Sequence, residues 1–229
     1  MGEVMTILVA TRNRHKVEEI RSILGLGHGV WSMNDVSNPP VLVEQASTFE
    51  GNAAAKARQL SKYLASNRTA FSPWPETVEL WVLADDSGLE VDALDGAPGV
   101  HSARFASLEP GGSENAPDER NNEKLRRLLV GVPVEQTAAR FRCVLALVQL
   151  KPGEEGSIER SEPIVFEGVC EGRIGFEAKG NQGFGYDPLF YPDGYEMSFA
   201  ELGADIKNRL SHRFKALIAL KTWLAGRAG

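Results

Sequence analysis

Asp85 and Asp86 stand side by side, after the apolar run Leu80-Trp81-Val82-Leu83 and Ala84 and before Ser87-Gly88. Two adjacent carboxylates at the end of a buried strand need their charge compensated, and a hard divalent cation such as Mg²⁺ does this through oxygen ligands. Ser87 adds a hydroxyl, and Gly88 adds a backbone able to turn sharply beside a ligand. All four residues also favour turns, so taken alone the stretch reads more simply as a strand-closing turn. Glu44 lies in a segment without periodicity and offers a further oxygen donor. Since Mg²⁺ typically takes one or two protein carboxylates and keeps several waters, Glu44 with Asp85 and Asp86 is the candidate metal set, with Glu50 a lesser competitor.

Three other stretches carry chemistry. From Thr11 to Lys16 a strand-like run passes through a polar loop into a helical pattern. Such a passage aims backbone N–H groups outward at a helix start, where phosphates bind. Thr11 and Asn13 supply small hydrogen-bonding groups and Lys16 a point charge. The glycines of a P-loop are absent, so this cradle is of another kind; a capped helix with a solvated lysine has the same pattern. Gly180-Asn181-Gln182-Gly183-Phe184-Gly185-Tyr186-Asp187-Pro188 sets aromatics among glycines. Glycines let backbone approach a flat ligand, Phe184 suits stacking on a base, and Asp187 suits accepting from a base edge. Lys207, Ser211, His212 and Arg213 form the last group. On a helix 207 and 211 share a face, while 212 and 213 turn away unless the helix breaks there. Arg213 suits a phosphate or a base carbonyl and His212 a donor to a base, although a basic patch on a terminal helix reads the same way. Nucleophile-elbow, HExxH and GxGxxG patterns are absent.

These groups need elements to position them. Thr6 to Ala10 predicts a buried strand, and Val17, Ile20, Ile23 and Leu24 predict a helix. Residues 25–47 read as irregular, 52–64 as a second helix and 67–76 as a surface loop. The strand that ends at Asp85-Asp86 is followed by an alternating segment, 89–94, broken by Gly96-Ala97-Pro98-Gly99. Residues 108–118 read as a polar loop, and Pro117-Asp118-Glu119 opens a helix. Residues 138–150 form the longest strand candidate, pairing with 162–170 around Pro152-Gly153. Residues 178–197 read as loop. Ser198 and Glu201 make a capping box for a final helix to about Leu224. Strands alternating with helices, then long paired strands, predict an α/β fold. The expectation is one domain, 1–229, with two lobes around a central cleft.

The chain has 229 residues, 42% of them hydrophobic, and a formal net charge of -6 from 25 basic and 31 acidic side chains. This balance argues against non-specific binding of nucleic acid or anionic membrane by the whole surface. Cys143 and Cys170 form no CxxC pair and read as buried thiols in a reducing compartment. With no signal peptide and no apolar stretch long enough to span a bilayer in view, the expected location is the cytoplasm.

In order along the chain stand Thr11-x-Asn13-x-x-Lys16, Thr48-Phe49-x-x-Asn52 with Lys56-Ala57-Arg58, and Ala84-Asp85-Asp86-Ser87-Gly88-Leu89-x-Val91. Gly96-x-Pro98-Gly99, Ser102-Ala103-Arg104, Gly183-Phe184-Gly185-Tyr186-Asp187-Pro188 and Ser211-His212-Arg213 follow. Together they resemble the inosine/xanthosine triphosphate pyrophosphatases over nearly the whole chain. The resemblance implies a two-lobed α/β fold with an elongated mixed sheet flanked by helices and the nucleotide in the cleft. It implies Mg²⁺-dependent hydrolysis of ITP, dITP and XTP to the monophosphate and pyrophosphate, and a homodimer. By the same resemblance Thr11, Arg12, Asn13, Arg14, His15 and Lys16 bind the triphosphate, helped by Lys56. Glu44 and Asp86 hold Mg²⁺ with Asp85 beside them, and Asp86 accepts a proton. Ser87 touches the substrate, and Phe184, Gly185, Tyr186, Asp187, Lys207, His212 and Arg213 hold the base and nearby groups. Arg12 stands where the family usually has Gly or Ser, and Gly51 where many members are polar. The segments 68–79 and 108–118 look longer than usual. The alternatives are a septum-formation-type pyrophosphatase acting on dTTP or UTP, and a nucleotide-binding regulator with an inactive site.

Overall fold

The first strand, β1 (Thr6–Val9), is buried on both faces, as its unbroken apolar run requires. It feeds α1 (Arg14–Leu24), which is capped by Asn13 and turns Val17, Ile20, Ile23 and Leu24 inward. β2 (Gly29–Ser32) and β3 (Leu80–Val91) both run parallel to β1, with Val9 opposite Ser32 on one side and Leu83 on the other. Between them lies α2 (Phe49–Ser66), capped by Thr48. After β3 come 3-10 turns at Asp92–Leu94 and Gly99–Ser107, then α3 (Asp118–Leu128), β4 (Ala138–Leu150), β5 (Ile164–Ile174) and β6 (Phe190–Pro192). β6 is antiparallel to β5, with Ile174 opposite Phe190. The chain ends in α4 (Phe199–Leu210) and α5 (His212–Arg227). The sheet order is β2-β1-β3-β4-β5-β6, mixed in direction and flanked by helices, as the α/β reading expects. This computed structural model describes residues 5–25, 29–74, 79–108, 115–151 and 162–227.

The chain divides into two compact units. Unit 1 holds residues 1–86, 144–167 and 216–229, and unit 2 holds 87–143 and 168–215. In unit 1, Ala53, Ala57, Leu60 and Leu64 of α2 are fully buried, and Trp81 meets Trp223 edge-on at 5.5 Å. Unit 2 has its own cluster, with Phe141, Phe190 and Phe199 packed among Leu125, Leu129 and Leu189. No helix among the described residues is long and apolar enough to cross a membrane. Cys143 and Cys170 are buried and free.

Several expectations need correction. β3 does not stop at Asp85-Asp86 but runs on through Ser87-Gly88 to Val91. The pairing of a sheet overrides local turn preference. The segment read as irregular contains β2, too short at four residues for a pattern, and a 3-10 turn at Met33–Asp35. β6 is shorter still and sits in the stretch read as loop. The final helix is two helices: Ser211 is extended, at ψ 154°, and separates α4 from α5, while Gly203 kinks α4. The Pro152-Gly153 turn lies outside the described residues, as does most of the 108–118 loop.

Candidate functional site

Adjacent residues of a strand project to opposite faces. β3 therefore sends Asp85 and Asp86 in different directions, and their partners agree. Asp85 meets Lys16 on α1, with Nζ 2.5 Å from Oδ1. Asp86 meets Lys56 on α2, with Nζ 2.8 Å from Oδ1. Lys56 also donates to Glu44 Oε1 at 2.5 Å and to the Asp85 carbonyl at 2.9 Å, so all three ammonium protons are used. Burial alone would lower the Lys56 pKa, but Asp86 and Glu44 outweigh it and the pKa is raised. For Asp86 burial is the larger influence and raises its pKa despite the lysine. Three carboxylates thus face two ammoniums, leaving one formal negative charge. Asp86 Oδ2 is buried with no hydrogen-bond partner.

Glu44 reaches this cluster from a segment with no regular structure, which α2 fastens. The Gln59 side-chain amide takes both backbone groups of Val43, donating to its carbonyl and accepting its N–H, each at 2.9 Å. Asn52 Oδ1 accepts the Ala46 N–H at 2.9 Å. Asn52, Lys56 and Gln59 lie at helical spacing on one face. Gly51 allows the approach, since a Cβ there would sit 2.6 Å from that of Ala46.

The loop before α1 is preorganised in the same way. Thr11 Oγ1 accepts the Asn13 N–H and Asn13 Oδ1 accepts the Lys16 N–H, both at 3.2 Å. Asn13, Arg14 and His15 are exposed. The Arg12 guanidinium donates to the Pro39 carbonyl at 3.4 Å.

In unit 2 hydrogen bonds hold Phe184, Gly185, Tyr186 and Asp187 of the glycine-rich loop. The Phe184 N–H donates to Asp187 Oδ2 at 2.8 Å, and Lys207 donates to the same oxygen at 2.6 Å. The Lys207 ammonium stands 4.3 Å from the Phe184 ring centroid, and the Arg213 guanidinium carbon 5.8 Å. Gly183 has φ +81°, and a Cβ there would run into the Asp187 carboxylate. Tyr186 is not an exposed aromatic: it is buried, and its hydroxyl donates to the Ser102 carbonyl at 2.9 Å. Arg213 is 1% exposed and lies 3.4 Å from Ser87 Oγ. His212 stacks on Phe141 at 4.8 Å. The break at Ser211 is what lets Lys207 and Arg213 both approach Phe184.

The structure thus brings Lys16, Glu44, Lys56, Asp85 and Asp86 together in unit 1. In unit 2 it brings together Ser87, Phe184, Asp187, Lys207 and Arg213. Arg14 and His15 are exposed on α1, and Asp85 and Asp86 meet different lysines. Among the described residues no three His, Cys, Asp or Glu side chains gather as a metal cluster. Gln59 and Asn122 were not singled out by sequence, while Asn52 stood only in a motif and Asp118 only in a helix start. Helical spacing alone gave no signal of these contacts, because the backbone that each side chain grips lies elsewhere along the chain.

The Ham1 family profile matches residues 7–223. A dITP/XTP pyrophosphatase of Halalkalibacterium halodurans is 42% identical over 218 residues, 95% of this chain and 97% of its own length. Among solved structures, a HAM1 protein from Coxiella burnetii superposes with a TM-score of 0.77 at 33% identity, over 97% of this chain and 100% of that one. A nucleoside-triphosphatase, dITP/XTP pyrophosphatase, from Mycobacterium abscessus superposes with a TM-score of 0.68 at 36% identity, over 94% and 98%.

Proposed function

The chain belongs to the Ham1 family, and on that premise we propose that it hydrolyses deaminated purine nucleoside triphosphates, dITP, ITP and XTP, to the monophosphate and pyrophosphate. The observation that carries this reading is the pairing of part-exposed Lys16 with buried Asp85, and of buried Lys56 with Asp86 and part-exposed Glu44. A cluster with one negative charge in excess and an unpartnered carboxylate oxygen suits a divalent cation and a polyphosphate. The activity of the relatives named above supports the same substrates.

The residues fit Mg²⁺. Asp86 Oδ2 is buried and unpartnered, Glu44 is part-exposed beside it, and both are hard oxygen donors. Asp86 and Glu44 would hold the ion, with Asp85, the counter-charge of Lys16, beside them. When bound, Mg²⁺ neutralises charge on the phosphates and lowers the pKa of a coordinated water. Lys16, with two ammonium protons beyond the one given to Asp85, grips the triphosphate together with the N–H groups at the start of α1. Thr11, Asn13, Arg14 and His15 line that grip, and Arg12 braces it from Pro39. Asp86 accepts the proton of the attacking water, a role suited to a carboxylate whose pKa burial raises. Lys56 fixes the orientation of Asp86 and Glu44.

Unit 2 supplies base recognition. Phe184 offers a stacking face, with Lys207 and Arg213 beside it, and Gly185 and Asp187 shape the edge. His212 or Arg213 donates to the 6-carbonyl of the purine. A 6-amino group would leave that buried donor unpaired, which disfavours ATP. Guanine also carries a 6-carbonyl, so the 2-position contributes as well. The enzyme acts as a homodimer in the cytoplasm, the setting that two buried free thiols suit.

Pyrophosphate release with Mg²⁺ over ITP, dITP, XTP, ATP, GTP, dTTP and UTP tests the reading. Turnover of the deaminated purines above the rest supports it. Preference for dTTP or UTP, or no turnover of any triphosphate, overturns it.

A further inference from the structure

We propose that Asp118 and Asn122, on the first two turns of α3, are positioning residues that set where Phe184 stands and thereby contribute to purine selection. The proposal rests on Phe184 being the stacking face for the base. Its starting point is Gly185, the residue after Phe184, which has φ +64° and both of whose backbone groups are taken by α3. The Gly185 N–H donates to Asp118 Oδ2 at 2.6 Å, and the Gly185 carbonyl accepts from Asn122 Nδ2 at 3.0 Å. Residues four apart share a helix face, so the two side chains form a two-point clamp.

The helix sets the loop and not the reverse, because α3 is seated independently. Leu125 and Leu129 are fully buried in the unit 2 core. The neighbouring Asn121 side chain ties α3 to the preceding turns, accepting the Ala106 N–H at 2.8 Å and donating to the Ala103 and Ala116 carbonyls. By contrast, a cavity of about 490 Å³ opens between α3 and the loop, lined by Asp118, Asn122, Gly183, Phe184 and Gly185 among others. Side-chain packing does not fill the space behind the loop. The hydrogen bonds from α3 therefore fix its distance from the helix.

Asn122 also leaves a trace of compromise. Its Oδ1 is buried with no hydrogen-bond partner, while its Nδ2 serves Gly185. A buried orphan acceptor costs stability. Holding the Gly185 carbonyl gives the amide a reason to remain there that stability alone does not.

Steady-state kinetics of Asp118→Ala, Asn122→Ala and the double variant test the proposal, with inorganic tripolyphosphate as a competitive inhibitor that carries no base. Losing one hydrogen bond should raise KM for dITP about fivefold, and losing both about 30-fold, with kcat little changed. The ratio of dITP to dGTP turnover should fall, and inhibition by tripolyphosphate should be unchanged. Asp118→Asn keeps an acceptor oxygen and should restore near-parent KM. An unchanged KM in the double variant would overturn the proposal, as would equal weakening of tripolyphosphate inhibition. Phe184→Ala separates the two levels. If it leaves KM for dITP unaltered, the stacking reading fails and takes this proposal with it. If it raises KM while the α3 variants do not, only this proposal fails.

Discussion

Unit 1 and unit 2 solve the same problem with different materials. Each must hold a functional segment that has no secondary structure of its own, and each uses helix side chains at helical spacing to do so. In unit 1, Asn52 and Gln59 of α2 fasten Val43 and Ala46 and so deliver Glu44. In unit 2, Asp118 and Asn122 of α3 fasten Gly185 beside Phe184. What is delivered differs. Unit 1 assembles charge: three carboxylates against two lysines, with one negative charge in excess. Unit 2 assembles shape: a ring, positive-φ glycines and one buried ion pair between Lys207 and Asp187. Charge errors are therefore expected to be costly in rate and stability, and shape errors to show in substrate choice.

The sharpest break of that contrast is Asp86→Asn. It removes the proposed proton acceptor while keeping the volume, and pyrophosphate release should fall about 10²- to 10⁴-fold. Full activity in that variant would remove the charge cluster from the reaction. Next is Lys56→Met, which leaves Asp86 buried without its counter-charge. Breaking a buried pair in this way costs about 3–5 kcal/mol, readable as a lower denaturation midpoint in urea. The equivalent loss in unit 2 is steric. Gly183→Ala forces the Asp187 carboxylate aside, and KM for dITP should rise about tenfold or more while the melting temperature shifts by only a few degrees, since the strain costs about 1–3 kcal/mol. The smallest effect is expected from Gln59→Leu. It frees Val43 at a cost of about 1 kcal/mol per hydrogen bond, so the Mg²⁺ concentration for half-maximal rate should rise severalfold. Faster hydrogen exchange at the Val43 amide would accompany it. A metal requirement left unchanged by Gln59→Leu would mean that Glu44 needs no support from α2.

Much of this was legible in the residues. The apolar run of β1 and the period of α1 were both readable, because each depends on neighbours in sequence. So was β4, where thirteen residues give the strand pattern length to show. Asp85-Asp86-Ser87-Gly88 misled because turn preference is a local property, while strand continuation is decided by partners far along the chain. The different lysine partners of Asp85 and Asp86 were hidden for the same reason, since only inside a continuous strand do neighbours part to opposite faces. The burial of Tyr186 was not legible, because the Ser102 carbonyl that takes its hydroxyl is 84 residues away. The roles of Gln59 and Asn122 were invisible, since an amide on a helix reveals nothing until the backbone it grips is placed.

The parting of Asp85 and Asp86 has a consequence for how β3 finds its alignment. From Leu80 to Ala84 the strand is apolar and buried on both sides, so a shift by one position would leave oil against oil and carry little penalty. The same shift would exchange the two carboxylates between sides, turning each away from the lysine that now meets it. The acidic pair thus discriminates among alignments that the greasy residues treat as equivalent, and the groups proposed for the chemistry also proofread the threading of the sheet beside β1.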